Sequence, residues 1–199
     1  MGSFHRFRRS NPSTNEYFGG RHRSEHWYRD NQMYFITARC RGRFPAFATE
    51  PAKAIFWDRF EHYTAMHGFV PWITSLLDNH YHTVGYLRKG DELGEMMRKV
   101  HGSVAKLVND LLESQRKERL LPFWRDAAHK DYFDGCLRDK VQCRRAFRYT
   151  WTQSRRHGIC ADYLTYPHTR LRIDVDRGIK RALELNAFLP GVPYPRYHR

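Results

Sequence analysis

The sequence predicts a single α+β domain in which helices pack over an antiparallel sheet. A run of β-branched and aromatic residues at 34–40 is typical of a strand. Two further extended segments flank a turn signal at Asp78-Asn79, which predicts a hairpin. Apolar residues at helical spacing follow both the first strand and the hairpin. Helices that alternate loosely with strands around a central hairpin favour this fold class.

The predicted elements follow one another with short connections. In chain order they are a strand at 34–40, a helix at 51–67, strands at 72–77 and 80–87, and helices at about 92–115 and 138–156. Gly68 and Gly158 stand where the first and last helices should end. Residues 123–134 are predicted to be irregular or extended, and the weakly patterned segment from Cys160 onward is predicted to be an irregular tail.

The charge of the chain indicates a polyanionic partner. Lysine and arginine number 35 against 21 acidic residues, for a formal net charge of +14, and 15% of the residues are aromatic. Arginines interleaved with stacking rings suit the phosphates and bases of unpaired nucleic acid. The predicted DNA contacts are Arg39, Arg41, Arg43, Arg145 and Arg156.

Other features of the composition restrict the class of protein. No apolar run approaches the length needed to cross a bilayer, and no segment joins a basic face to a broad apolar one, so no membrane partner is expected. The four cysteines are scattered without a C-x-x-C pair, which favours reduced thiols and a cytoplasmic protein.

A first chemical motif is His80-Tyr81-His82, on the third predicted strand. Side chains two residues apart share one face of a strand, so both imidazoles point one way and Tyr81 points the other. Two neutral imidazoles side by side can hold one divalent ion.

A second motif joins Tyr149 to Gln153 on the last predicted helix, where positions i and i+4 project together. The apolar stripe Cys143, Phe147 and Trp151 lies on roughly the opposite side, which leaves the Tyr149 phenol displayed. Tyr132 and Tyr163 are rival nucleophiles, but neither has a carboxamide four residues later.

Together the motifs predict a phosphoryl-transfer reaction. A Mg²⁺ or Mn²⁺ ion held by His80, His82 and the amide oxygen of Gln153 would polarise a scissile phosphate. Tyr149 would attack the phosphorus and a 3′-hydroxyl strand would leave. The product would be a 5′-phosphotyrosine.

The segment LLDNHYHTV resembles the His-hydrophobe-His strand of the HUH nucleases, and its setting is similar to that of the REP-associated tyrosine transposases. The similarity runs from about Tyr34 to Ile159, and the family's tyrosine and amide fall on Tyr149 and Gln153. The chain departs from the family at Asp78, where many members have proline. It departs again after Gln153, where it continues Ser-Arg-Arg-His-Gly-Ile rather than Pro-Val-x-Ala-Gly-Leu.

The resemblance implies a ferredoxin-like sandwich with one catalytic tyrosine that cleaves single-stranded DNA beside palindromic repeat hairpins. The sequence as a whole predicts a basic flexible arm at 1–30, an HUH-type nuclease domain at 31–159 and a C-terminal extension at 160–199, whose PYPRYHR ending is a candidate DNA contact. One alternative is a catalytically silent, domesticated protein that only binds DNA hairpins. A replication initiator or relaxase, and an RNA-binding protein, also remain open, as does the choice between monomer and homodimer.

Overall fold

The strands form one antiparallel sheet that matches the predicted fold class. The computed structural model describes residues 29–124 and 132–188. The strands are β1 (Gln32–Arg39), β2 (Phe69–Leu76), β3 (His80–Leu87), β4 (Phe133–Cys136) and β5 (Thr169–Leu171), and their order across the sheet is β4-β1-β3-β2-β5. All neighbouring strands pair antiparallel.

The helices complete a ferredoxin-like arrangement. They are α1 (Glu50–Met66), α2 (Glu92–Ser114), α3 (Lys140–Trp151), α4 (Gln153–Arg156) and α5 (Val175–Glu184), with 3-10 turns at Arg41–Arg43 and Tyr163–Thr165. The first six regular elements run β-α-β-β-α-β along the chain, and their strands stand in the order 4-1-3-2. The predicted α+β, ferredoxin-like sandwich is confirmed.

The two faces of the sheet bury different cores, because successive residues of a strand point to opposite sides. On one face α1 and α2 pack a core that contains Phe56, Phe60 and Tyr81. On the other face α3 and α5 contribute Phe147 and Ile179 to a second core, which lies against β2 and β3. The even-numbered residues of β3, which include both histidines of the motif, therefore face α3.

The structure corrects two predictions near the C-terminus. The predicted irregular tail is wrong for residues 169–184, where β5 pairs with β2 and α5 follows. The Asp174 carboxylate caps α5 by accepting from the backbone amides of Asp176 and Arg177. The predicted helix at 138–156 is interrupted at Thr152, which separates α3 from α4.

The proposed division into arm, domain and extension stays a prediction. Residues 1–28 of the predicted arm and 189–199 of the predicted extension lie outside the described residues. Within the described ranges, no helix is both long and apolar enough to span a membrane.

His101 on α2 should make the stability of the domain sensitive to acid. It is 7% exposed, its Nε2 pairs with the Tyr81 hydroxyl at 3.0 Å, and burial lowers its pKa from 6.5 to about 3. The unfolded chain therefore binds this proton first as the pH falls, so the stabilisation is complete above pH 6.5 and is lost toward pH 3. We expect His101→Gln to reduce the slope of unfolding free energy against pH by about 1.4 kcal/mol per pH unit in this range. Denaturant titrations between pH 7 and 4.5 would measure this slope, and equal slopes for wild type and His101→Gln would contradict the role of His101.

Candidate active site

His80 and His82 form a buried pair of imidazoles on β3. Their exposed fractions are 2% and 4%, and their ring centroids lie 5.0 Å apart with the planes nearly perpendicular. Tyr81 between them points into the opposite core, where its ring is 4.9 Å from that of Phe56. The predicted alternation along this strand is thus confirmed, and both imidazoles face α3.

Both imidazoles are neutral at pH 7. Burial lowers the pKa of His80 to about 3, and electrostatic interactions with His157 and Arg39 act in the same direction. Burial also holds the pKa of His82 well below its usual range. A neutral imidazole carries the lone pair that a metal ion requires.

Three nitrogens of this pair lack hydrogen-bond partners. They are His80 Nε2, His82 Nδ1 and His82 Nε2, all buried. Buried polar atoms are nearly always paired in folded proteins, so three unpaired nitrogens in one pair of rings need an explanation. A divalent cation would account for one nitrogen of each ring, because a neutral imidazole offers a metal ion one lone pair.

Helix α3 places Tyr149 beside the histidine pair. Its N-terminus is capped by Asp139, whose carboxylate accepts from the backbone N–H of Gln142 at 2.8 Å. Cys143 and Phe147 anchor the helix in the second core, while Tyr149 is 40% exposed. The Tyr149 ring approaches His82 edge-on with centroids 5.1 Å apart. The predicted display of this phenol away from the apolar stripe is confirmed.

Gln153 lies at the start of α4, just after the interruption at Thr152. It is 1% exposed, and its Nε2 donates to the backbone carbonyl of Tyr149 at 2.7 Å. This bond fixes the orientation of the side-chain amide, because a backbone carbonyl can only accept and so must face the NH₂ group. The amide oxygen is then left free as an acceptor. The carboxamide also raises the pKa of His80, partly against the effect of burial, although it makes no well-formed hydrogen bond with His80 Nε2. The predicted third ligand therefore adjoins the histidine pair.

The structure adds His157, which the sequence motifs did not single out. Its ring centroid lies 4.7 Å from that of His80, on the exposed side of the pair. Partial burial lowers its pKa, and Arg39, Arg156 and Arg43 contribute in the same direction. The available signal was its spacing, because His157 stands four residues after Gln153 and eight after Tyr149.

Three of the five predicted DNA-contacting arginines adjoin this site. Arg39 and Arg43 act electrostatically on His80, and the Arg156 guanidinium lies 4.9 Å from the centre of the Tyr149 ring. Arg41 turns elsewhere and donates to the Leu121 carbonyl. Arg145 is exposed one turn before Tyr149, and no contact among residues 29–124 and 132–188 links it to the histidines. The arginine cluster at the site consists of Arg39, Arg43 and Arg156.

The donor set suits an open metal site. Within the described part of the chain, no group of three His, Cys, Asp or Glu side chains could hold a metal ion. An ion at His80 and His82 would therefore need the Gln153 carbonyl oxygen, water or substrate to complete its shell. Incomplete protein ligation is usual where a metal acts on a substrate.

Comparison with known proteins supports the fold. No family model matches the sequence, and no curated protein matches it. Among solved structures, a REP-associated tyrosine transposase bound to a REP hairpin aligns over 78% of this chain and 86% of its own, with a TM-score of 0.59 and 16% identity. The chain resembles that transposase in fold. A candidate transposase from Deinococcus radiodurans R1 aligns over 58% of this chain and 86% of its own, with a TM-score of 0.44 and 9% identity.

Proposed function

We propose that the protein is a metal-dependent endonuclease and strand transferase that cuts single-stranded DNA at palindromic repeat hairpins through a 5′-phosphotyrosine. The observation that carries this proposal is the position of the Tyr149 phenol, edge-on to one imidazole of a buried, partly unpaired histidine pair. A nucleophile and a cation site must be this close to act on one phosphate.

Tyr149 Oη attacks the scissile phosphorus and forms a new phosphoester bond. The bond between phosphorus and the 3′-oxygen breaks, and this oxygen leaves with the electron pair and takes up a proton. The phenolic proton is released to solvent, and the Arg156 guanidinium lies over the ring, 4.9 Å from its centre, where it can meet the phosphate. The ester retains its energy, so a second 3′-hydroxyl can attack it and rejoin the DNA.

His80, His82 and the Gln153 carbonyl oxygen are the residues that would hold the metal. Bound Mg²⁺ or Mn²⁺ supplies Lewis-acid polarisation of the scissile phosphate. The protein's own part is to keep both imidazoles neutral by burial and to hold the Gln153 amide against the Tyr149 carbonyl.

The arginine cluster (Arg39, Arg43 and Arg156) provides the phosphate contacts next to Tyr149. The transposase that shares this fold was solved with a REP hairpin. We infer that a DNA hairpin is the partner of this chain as well, with the cut strand crossing the arginine cluster.

The test uses a single-stranded DNA that carries a palindromic hairpin, labelled at either its 3′ or its 5′ end. After incubation with protein and Mn²⁺, the products are separated on a denaturing protein gel. We expect the 3′ label to stay on the protein and the 5′ label to leave on a fragment that ends in a 3′-hydroxyl. EDTA should suppress both products.

The two labels show whether the tyrosine is linked to the 5′ or the 3′ side of the cut. A 5′ label retained on the protein would mean a 3′-phosphotyrosine and would contradict the proposed chemistry. Tight hairpin binding without adduct or cleavage, across several hairpin sequences and both metals, would replace the nuclease by the binding-only alternative.

A further inference from the structure

Asn79 links the histidine pair to the loop that carries Arg43. It lies in the β2–β3 turn directly before His80 and is half-buried. Its Oδ1 is 2.6 Å from His80 Nδ1, and its Nδ2 donates to the backbone carbonyl of Arg43 at 2.9 Å. The Cys40 amide also donates to the Asn79 carbonyl at 2.8 Å, so the backbone of the turn is fixed to the same loop.

The chemistry of these bonds determines which way each group points. A carbonyl oxygen only accepts, so the NH₂ end of the Asn79 amide must face Arg43 and its oxygen must face His80. That oxygen also only accepts, so His80 Nδ1 must carry the proton. In the neutral ring Nε2 then holds the lone pair, and Nε2 is the His80 nitrogen that is buried without a hydrogen-bond partner.

We propose that Asn79 is a positioning residue that holds His80 in its Nδ1–H tautomer and thereby keeps Nε2 available as a ligand. The tautomer follows from the hydrogen bonds alone, whereas the use of Nε2 rests on the proposed function. A hydrogen bond from the far nitrogen is a common way to orient a metal-binding histidine.

The backbone of Arg43 contributes to this arrangement. Gly42 and Arg43 both have φ of +59°, a left-handed conformation that is unfavourable for arginine. The Arg43 amide donates to the Cys40 carbonyl at 3.1 Å, which helps to hold the carbonyl of Arg43 where Asn79 meets it. Glycine adopts the same φ without strain, so Arg43→Gly removes the guanidinium and leaves the carbonyl in place.

The test reads the tautomer directly from ¹⁵N NMR of the histidine side chains at pH 7, without metal or DNA. His80→Gln identifies the His80 signals by their loss. We expect wild type and Arg43→Gly to show the Nδ1–H form. Asn79→Ala should lose this single tautomer, and Asn79→Asp should restore it, because a carboxylate oxygen still accepts from Nδ1. His82 signals and circular dichroism report whether each variant stays folded.

A titration with Mn²⁺ measures the effect of the tautomer on metal affinity, with broadening of the His80 and His82 signals as the readout. Asn79→Ala should bind Mn²⁺ about 10- to 100-fold more weakly than wild type. An Nε2–H form of His80 in wild type, or an unchanged tautomer in folded Asn79→Ala, would overturn the inference. If Asn79→Ala does not fold, wild type and Asn79→Asp still decide it. An Nδ1–H tautomer in a protein that binds no Mn²⁺ would leave the positioning role of Asn79 intact and contradict the proposed metal site.

Discussion

Replacement of Tyr149 by phenylalanine is expected to abolish both DNA cleavage and the covalent adduct, while hairpin affinity stays within a few fold of wild type. Phenylalanine keeps the ring contacts with His82 and Phe35 and the position of the ring below Arg156. Only the hydroxyl is lost, and with it the oxygen that would form the phosphoester. Adduct yield and hairpin binding, measured on the same preparation, separate the chemical role of Tyr149 from a structural one.

Tyr163 offers a matched control. Its ring lies 5.2 Å from the Arg155 guanidinium and 5.8 Å from the Trp151 ring, much as Tyr149 lies below Arg156. Tyr163 follows α4 in the 3-10 turn at Tyr163–Thr165 and has no amide at i+4. Tyr163→Phe should therefore retain the adduct. An adduct that survives in Tyr149→Phe and disappears in Tyr163→Phe would identify Tyr163 as the nucleophile instead.

The fold was predictable where the chain carries strong local patterns. The third strand was predicted at 80–87 and is observed at His80–Leu87, because a turn signal precedes it and apolar and β-branched residues fill it. Strand β5 has only three residues, too few to show alternation. It forms because it pairs with the free edge of β2, and a local sequence pattern does not show pairing between segments that are far apart in the chain.

The candidate site was predictable in its central residues but less so at its border. Strand periodicity puts His80 and His82 on one face of β3, and helical spacing puts Tyr149 near Gln153. Both pairs could therefore be predicted, and the structure brings them together. Arg41 was grouped with Arg39 and Arg43 because the three arginines are neighbours in the sequence, yet β1 ends at Arg39, the chain then turns, and Arg41 donates to the Leu121 carbonyl instead. The proximity of His157 to His80 depends on how α4 docks after the interruption at Thr152.

His82 combines a proposed function with a cost in stability. It is 4% exposed, with both ring nitrogens unpaired, and it contacts the rings of Phe35 and Tyr149. A buried polar group without a partner costs about 1–3 kcal/mol. On the proposed function, this histidine is explained by metal binding rather than by packing, and stability measurements distinguish the two explanations.

We expect His82→Leu to eliminate metal-dependent cleavage and, without metal, to raise the free energy of unfolding by about 1 kcal/mol, because leucine fills the site without unpaired nitrogens. Mn²⁺ at 100 times its Kd should stabilise wild type by about 2.7 kcal/mol and leave His82→Leu unchanged. His101→Leu is the matched control on the opposite face of the sheet, where the lost imidazole leaves the Tyr81 hydroxyl without its partner. That variant should be less stable than wild type yet keep both the Mn²⁺ response and the adduct. Cleavage by His82→Leu at the wild-type rate would exclude His82 as a ligand, whatever its effect on stability.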